Sequence, residues 1–168
     1  RFVIVGHSER RADNHEADSE IARKAEAAIA TGLTAILCVG ETEAIRASGN
    51  AIGFVSGQLA ASLPCNASAA GLVIAYEPVW AIGTGNNALP NDVTEAIVSN
   101  RSQIKHLYGA KASNEIQVLY GGSVTADSAA DYLALAEVDG LLVGGASLDA
   151  QSFATIVEKA YNSTKKGA

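Results

Sequence analysis

The chain has 168 residues, 48% hydrophobic and 18% charged, which is enough apolar material for one packed core and too much for a disordered segment. A formal net charge of -6 argues against a nucleic-acid or membrane-surface partner, which would call for a basic patch, and leaves room only for a local positive site for an anion. Cys38 and Cys65 are too few and too far apart for a disulfide framework or a zinc site, no apolar stretch nears the ~20 residues of a membrane span, and no signal segment opens the chain; a reducing, cytoplasmic setting is expected.

Five apolar runs recur, each closing on a polar or glycine-rich cluster. The first, Arg1–His7, ends in a histidine followed by Ser8-Glu9-Arg10-Arg11. Ile21, Ala25 and Ile29 then share one helical face, with Gly32 as a C-terminal cap. The second run, Ala35–Glu41, precedes a helix carrying Ile52, Val55, Leu59 and Leu63 up to Pro64. The third, Leu72–Pro78, delivers Glu77 where the strand stops, because Pro78 cannot continue the ladder. Asn91 is placed to cap a helix with Val93, Ile97, Ile104 and Leu107 on its apolar face and Gly109 at its end. The fourth and fifth runs, Ile116–Gly122 and Gly140–Ala146, are followed by helices that Thr125 and Asp149 can cap.

Successive runs lie far enough apart for a crossover helix, and they are continuously apolar rather than alternating, so parallel strands covered on both faces are expected. A closed eight-unit barrel and an open doubly wound sheet both satisfy this pattern. Five units cannot close a barrel of eight, so an open five-stranded sheet is the literal reading; the preferred one is α/β: a partial TIM (β/α)8 barrel of five parallel strands alternating with helices, lacking its first three units. No linker divides residues 1–168, which are read as one incomplete domain. The chain has no methionine and opens inside a strand, so further residues are expected upstream. Sequons at Asn66, Asn100 and Asn162 are read as chance in the absence of a secretion signal.

The strand ends hold the chemistry. His7 either caps its own loop or, beside the N–H groups that open a helical turn, stays neutral and donates a hydrogen bond to a carbonyl. Glu77 is either a solvated carboxylate or a base, made more basic when a lid carrying Trp80 and Ile82 excludes water. Glycine pairs at Gly121-Gly122 and Gly144-Gly145 are either plain turns or anion cradles. Glu41 reads as a buried or interface carboxylate, Cys38 as core with no adjacent base visible in sequence, Arg10 and Arg11 as salt-bridge partners, and His15 and His106 as solvated. No metal-ligand constellation stands out.

Taken in order, Gly6–Arg11 (GHSERR), Cys38–Glu41 (CVGE), Ala75–Gly85 (AYEPVWAIGTG), Tyr120–Val124 (YGGSV) and Leu142–Ala146 (LVGGA) resemble the triosephosphate isomerase family along the whole chain. The resemblance implies interconversion of dihydroxyacetone phosphate and glyceraldehyde 3-phosphate through an enediolate, with no cofactor and no metal. It assigns Glu77 as base and His7 as electrophile, a pairing of which triosephosphate isomerase is itself the standard example, with Glu9 as polar support. The phosphate falls to backbone N–H groups of Gly83, Ser123, Gly144 and Gly145. The implied partner is a small triose phosphate, and the full-length form a homodimer.

Two departures qualify the expectation. The family's Asn-x-Lys strand end and its partner-inserting loop have no counterpart in this sequence, so the chain alone is expected to turn over weakly or not at all. Asn86-Asn87-Ala88-Leu89 also stands where the lid's second hinge often begins with lysine. Another sugar-phosphate barrel enzyme, or a non-catalytic phosphate-binding fragment, is the alternative.

Overall fold

The computed structural model describes residues 1–65, 67–82 and 87–164. Strands and helices follow one another as β1 (Phe2–Val5), α1 (Ser8–Asp13), α2 (Asp18–Ala30), β2 (Thr34–Val39), α3 (Glu43–Ala47), α4 (Ala51–Ser62) and β3 (Leu72–Tyr76), then α5 (Pro90–Tyr108), α6 (Ala110–Glu115), β4 (Gln117–Tyr120), α7 (Ala129–Leu133), β5 (Gly140–Leu141) and α8 (Ala150–Thr164). The strands form one sheet in the order β1-β2-β3-β4-β5, every neighbouring pair parallel. A doubly wound sheet must reverse its strand order at a switch point, whereas a barrel wall never does. The strictly sequential order is therefore that of a TIM-barrel-like α/β fold, and the open doubly wound alternative falls away.

Register explains the core. Val5, Leu37, Ile74 and Val118 lie in one row across β1 to β4, all buried, and pack with Ile21, Leu59, Ile97 and Ile104 of the helices. Each such side chain contributes roughly 1.5–3 kcal/mol on burial. The strands differ in cover. β3 is buried along its whole length, but β1 leaves Phe2 64% and Ile4 49% exposed. Burial on both faces thus holds at the centre of the sheet and not at β1, which among the described residues has a strand neighbour on one side only.

Helix ends follow local chemistry. After α2, Gly32 at φ +80° lets Leu33 N–H reach Ala28 O and Gly32 N–H reach Ile29 O, both at 3.0 Å, closing the expected C-terminal cap. α5 begins one residue before the expected cap, because Pro90 supplies a preset φ and lacks only an N–H that the first turn leaves unused. Asn91 lies inside that turn, and Leu107, expected on the apolar face, is 45% exposed. Thr125 Oγ1 accepts the Ser128 N–H at 3.2 Å ahead of α7, and Asp149 Oδ1 accepts the Ser152 N–H at 2.8 Å at the start of α8. Asn100 is fully buried, so its sequon is closed to modification in the folded chain.

Candidate active site

A cleft of about 600 Å³ opens at the C-terminal ends of the strands, lined by His7, Glu9, Glu77, Ile82, Ser123, Gly144 and Gly145 among others. Every candidate residue named from the sequence borders it except Gly83. Gly83 lies outside the described residues, as do Gly85 and Asn86.

Glu77 comes directly off β3. Its N–H extends the ladder to Val39 O at 2.8 Å, Pro78 then ends the strand, and a 3-10 turn over Val79–Ala81 carries Trp80. The carboxylate is 3% exposed. That burial pushes its pKa above the ordinary value, opposed by His7, by the Cys38 thiol and the Ser8 N–H donating to it, and by the charge of Arg11. Such a carboxylate is a stronger base than one in water. The backbone there is packed so closely that a Cβ on Gly40 would lie 1.7 Å from Glu77 O, and one on Gly121 2.9 Å from Glu77 Cγ.

His7 meets it across the cleft, with Nε2 3.4 Å from Glu77 Oε1. His7 is the N-cap of α1, its Nδ1 accepting the Glu9 N–H at 3.3 Å. An accepting Nδ1 leaves Nε2 to carry the proton, so the ring presents a donor toward the carboxylate and the cleft. The Glu9 side chain is on the rim, 79% exposed, with Oε2 3.9 Å from Nδ1.

The glycine loops face the same space. Gly144 and Gly145 are exposed, and Gly145 opens a 3-10 turn to Leu148 held by Ser147 N–H on Gly144 O at 2.9 Å. Ser123 differs from expectation. Its N–H donates to Ala81 O at 3.0 Å, and its hydroxyl donates to the same carbonyl, so the loop after β4 is tied to the turn after Glu77. An anion seeking the Ser123 N–H must displace that carbonyl.

Supporting residues fall into two groups. Glu41, fully buried, accepts from Arg46 Nη1 and Trp80 Nε1 at 2.9 Å each and from the Tyr76 hydroxyl at 3.2 Å, while the Arg46 guanidinium lies 4.9 Å from the Trp80 ring centroid. Arg10 pairs with Glu16, and Arg11 with Asp18. His15 and His106 are exposed. Sequence reading saw no base beside Cys38, yet the fold puts Glu77 there. Burial and the Glu77 charge push the thiol well up, so Cys38 is a donor and not a nucleophile. The signal was in the register: Cys38 pairs with Ala75, which places Cys38 and Glu77 one pleat apart on the same face. Among the described residues no group of three His, Cys, Asp or Glu side chains is arranged to hold a metal ion, and no helix is long and apolar enough to cross a membrane.

The family model described as triosephosphate isomerase matches residues 1–160. The chain is 50% identical over 155 residues to triosephosphate isomerase of Chelativorans sp. (strain BNC1), covering 92% of this chain and 61% of that protein. It is 51% identical over 154 residues to that of Xanthobacter autotrophicus, covering 92% and 60%. The crystal structure of triosephosphate isomerase from Bartonella henselae superposes with a TM-score of 0.87 at 40% identity, over 94% of this chain and 64% of that one. The chain thus spans about three fifths of the length of the relatives it matches. With a family model that runs over nearly its whole length, the chain belongs to the triosephosphate isomerase family.

Proposed function

We propose that the chain carries the proton-transfer half of an isomerase that interconverts dihydroxyacetone phosphate and glyceraldehyde 3-phosphate through an enediolate. The observation that carries this reading is the His7–Glu77 pair, 3.4 Å apart at the floor of the cleft, with the carboxyl made more basic by burial. Glu77 removes a proton from the carbon beside the carbonyl. His7 Nε2–H stabilises the charge that develops on oxygen, and Glu9 steadies the ring through its N–H on Nδ1. The phosphate lies against Ser123, Gly144, Gly145 and the sequence-assigned Gly83, with the Ser123 N–H released from Ala81 O as the anion enters. No cofactor takes part. Residues 1–168 are read as one incomplete barrel domain, weakly active or inactive by itself, and the full-length form as a cytoplasmic homodimer.

The test is incorporation of deuterium at C1 of dihydroxyacetone phosphate in heavy water, measured by NMR with the chain alone and with the protein at the relatives' full length. Exchange is expected at full length, strongly reduced by Glu77→Gln and by His7→Gln, with phosphate-ligand binding retained. Exchange indifferent to Glu77→Gln would overturn the assignment of the base. Phosphate binding with no exchange at full length would favour a non-catalytic phosphate-binding module instead.

A further inference from the structure

Arg11 makes more contacts than holding a loop requires. Its guanidinium is 15% exposed and reaches four elements at once. Nε donates to Gly6 O at 2.7 Å, Nη2 donates to Cys38 O at 3.0 Å and to Ser62 Oγ at 3.3 Å, and Nη1 pairs with Asp18 Oδ1 at 2.5 Å. Ser62 Oγ in turn donates to Asp18 Oδ1 at 2.9 Å, fixing the counter-ion. Gly6 immediately precedes His7, and Cys38 is the residue whose thiol donates to Glu77. The two carbonyls that Arg11 grips are therefore the backbone anchors of the two sides of the candidate site.

Gly6 gives independent support. It lies at φ +70°, and a Cβ there would come within 3.0 Å of Arg11 Nη2 and 3.1 Å of Cys38 O. The chain leaves this spot bare where the guanidinium passes from β1 to β2. A planar fork suits two carbonyls in a way that a point-charged ammonium does not.

We propose that Arg11 is a positioning residue for the His7–Glu77 pair, its guanidinium clasping the Gly6 and Cys38 carbonyls so that the ring and the carboxylate keep their spacing. The role rests on the isomerase reading of that pair. The titratable and charged groups facing Glu77 are His7 from the β1–α1 junction, Cys38 from β2 and Arg11 from α1, and Arg11 is the one that also holds the backbone of the other two elements.

The experiment is NMR on the chain without substrate. In the unaltered chain, Arg11 Nε–H is expected to exchange slowly and its guanidinium to rotate slowly; a freely rotating, rapidly exchanging guanidinium overturns the clasp. Carbon-13 titration of the Glu77 carboxyl is then followed in Arg11→Met and Arg11→Lys, with far-UV circular dichroism to establish folding. Arg11→Met is expected to raise the Glu77 midpoint, since a positive charge that favours the carboxylate is gone. Arg11→Lys keeps the charge and loses the fork, so the midpoint stays nearer its original place while the His7 ring resonances cease to report the Glu77 titration. An unchanged midpoint and unchanged His7 response in both folded variants overturns the proposal, and if neither variant folds the guanidinium measurement on the unaltered chain decides. No readout involves turnover, so an overturned clasp leaves the isomerase reading standing, and absent C1 exchange leaves the clasp standing.

Discussion

Replacing Glu41 tests whether a buried carboxylate fixes the turn that follows the candidate base. Glu41→Ala removes an acceptor from the fully buried Tyr76 hydroxyl and from the Trp80 indole, and takes away one of the two carboxylates that pair with Arg46. Breaking a buried ion pair from one side costs roughly 3–5 kcal/mol. Arg46 keeps Asp92 at 2.5 Å and is 25% exposed, so it is not stranded, and the expected loss sits at the lower end, about 3 kcal/mol. Glu41→Gln preserves volume and one acceptor oxygen but turns charge-assisted bonds into neutral ones, for an expected loss of about 1–2 kcal/mol. Urea denaturation is the assay, and Trp80 is the natural probe as the only tryptophan in the sequence. Because the indole donates to Glu41 under a guanidinium, both variants should also shift native-state emission, Glu41→Ala more than Glu41→Gln. A stability change below about 1 kcal/mol for Glu41→Ala, with unaltered Trp80 emission, would refute the argument that this carboxylate organises the turn.

Three further outcomes follow from buried or strained groups. The folded-state pKa of Glu77 is raised above its ordinary value of 4.5, so the protonated form favours folding and that contribution is lost as pH rises through the folded value. Glu77→Gln should therefore melt near the parent's temperature below the ordinary value and progressively above it toward neutrality; a pH-independent difference would contradict this. Among the described residues, neither amide atom of Asn100 finds a hydrogen-bond partner although the residue is fully buried. Asn100→Leu should stabilise by about 1–3 kcal/mol in urea melts, and a net loss would mean that the amide is satisfied or the site too tight. His15 holds φ at 55°, which costs an L-residue roughly 1 kcal/mol that glycine does not incur. His15→Gly should stabilise the fold by about a few tenths of a kcal/mol after the extra chain entropy of glycine is counted, read as a small rise in the urea midpoint.

The sequence read most clearly where one strong local force acts. Apolar runs closing on polar clusters located the C-terminal strand ends that carry His7 and Glu77, and the family resemblance assigned the two to one site. Pro90 displaced Asn91 as the start of α5 because a preset φ competes with a side-chain cap at the same turn. Leu107 fits a helical stripe but is left exposed, while the next residue, Tyr108, packs against the core and donates its hydroxyl to Pro64 O. What stayed hidden was set by pairing across elements. The four contacts of Arg11 span residues 6 to 62, and the closeness of Cys38 to Glu77 needs the β2–β3 register. The bond from Ser123 N–H to Ala81 O joins two loops whose separate sequences each read as available for an anion.

The two members of the candidate pair stand on strands of unequal security. Among the described residues, Glu77 leaves β3, bonded on both sides and buried throughout, while His7 leaves β1, bonded on one side and half-open to solvent. Openings that release β1 alone require fewer broken contacts than those that release β3, so the amides of Val3 to Val5 should exchange through a lower free-energy fluctuation than those of Val73 to Ala75. During each such excursion His7 and Glu77 separate while the carboxylate stays in its seat. In the described chain the pairing of ring and carboxylate therefore loosens from the histidine side first, at a free energy below that of global unfolding, and the His7 ring resonances should change on warming or in denaturant before secondary structure is lost.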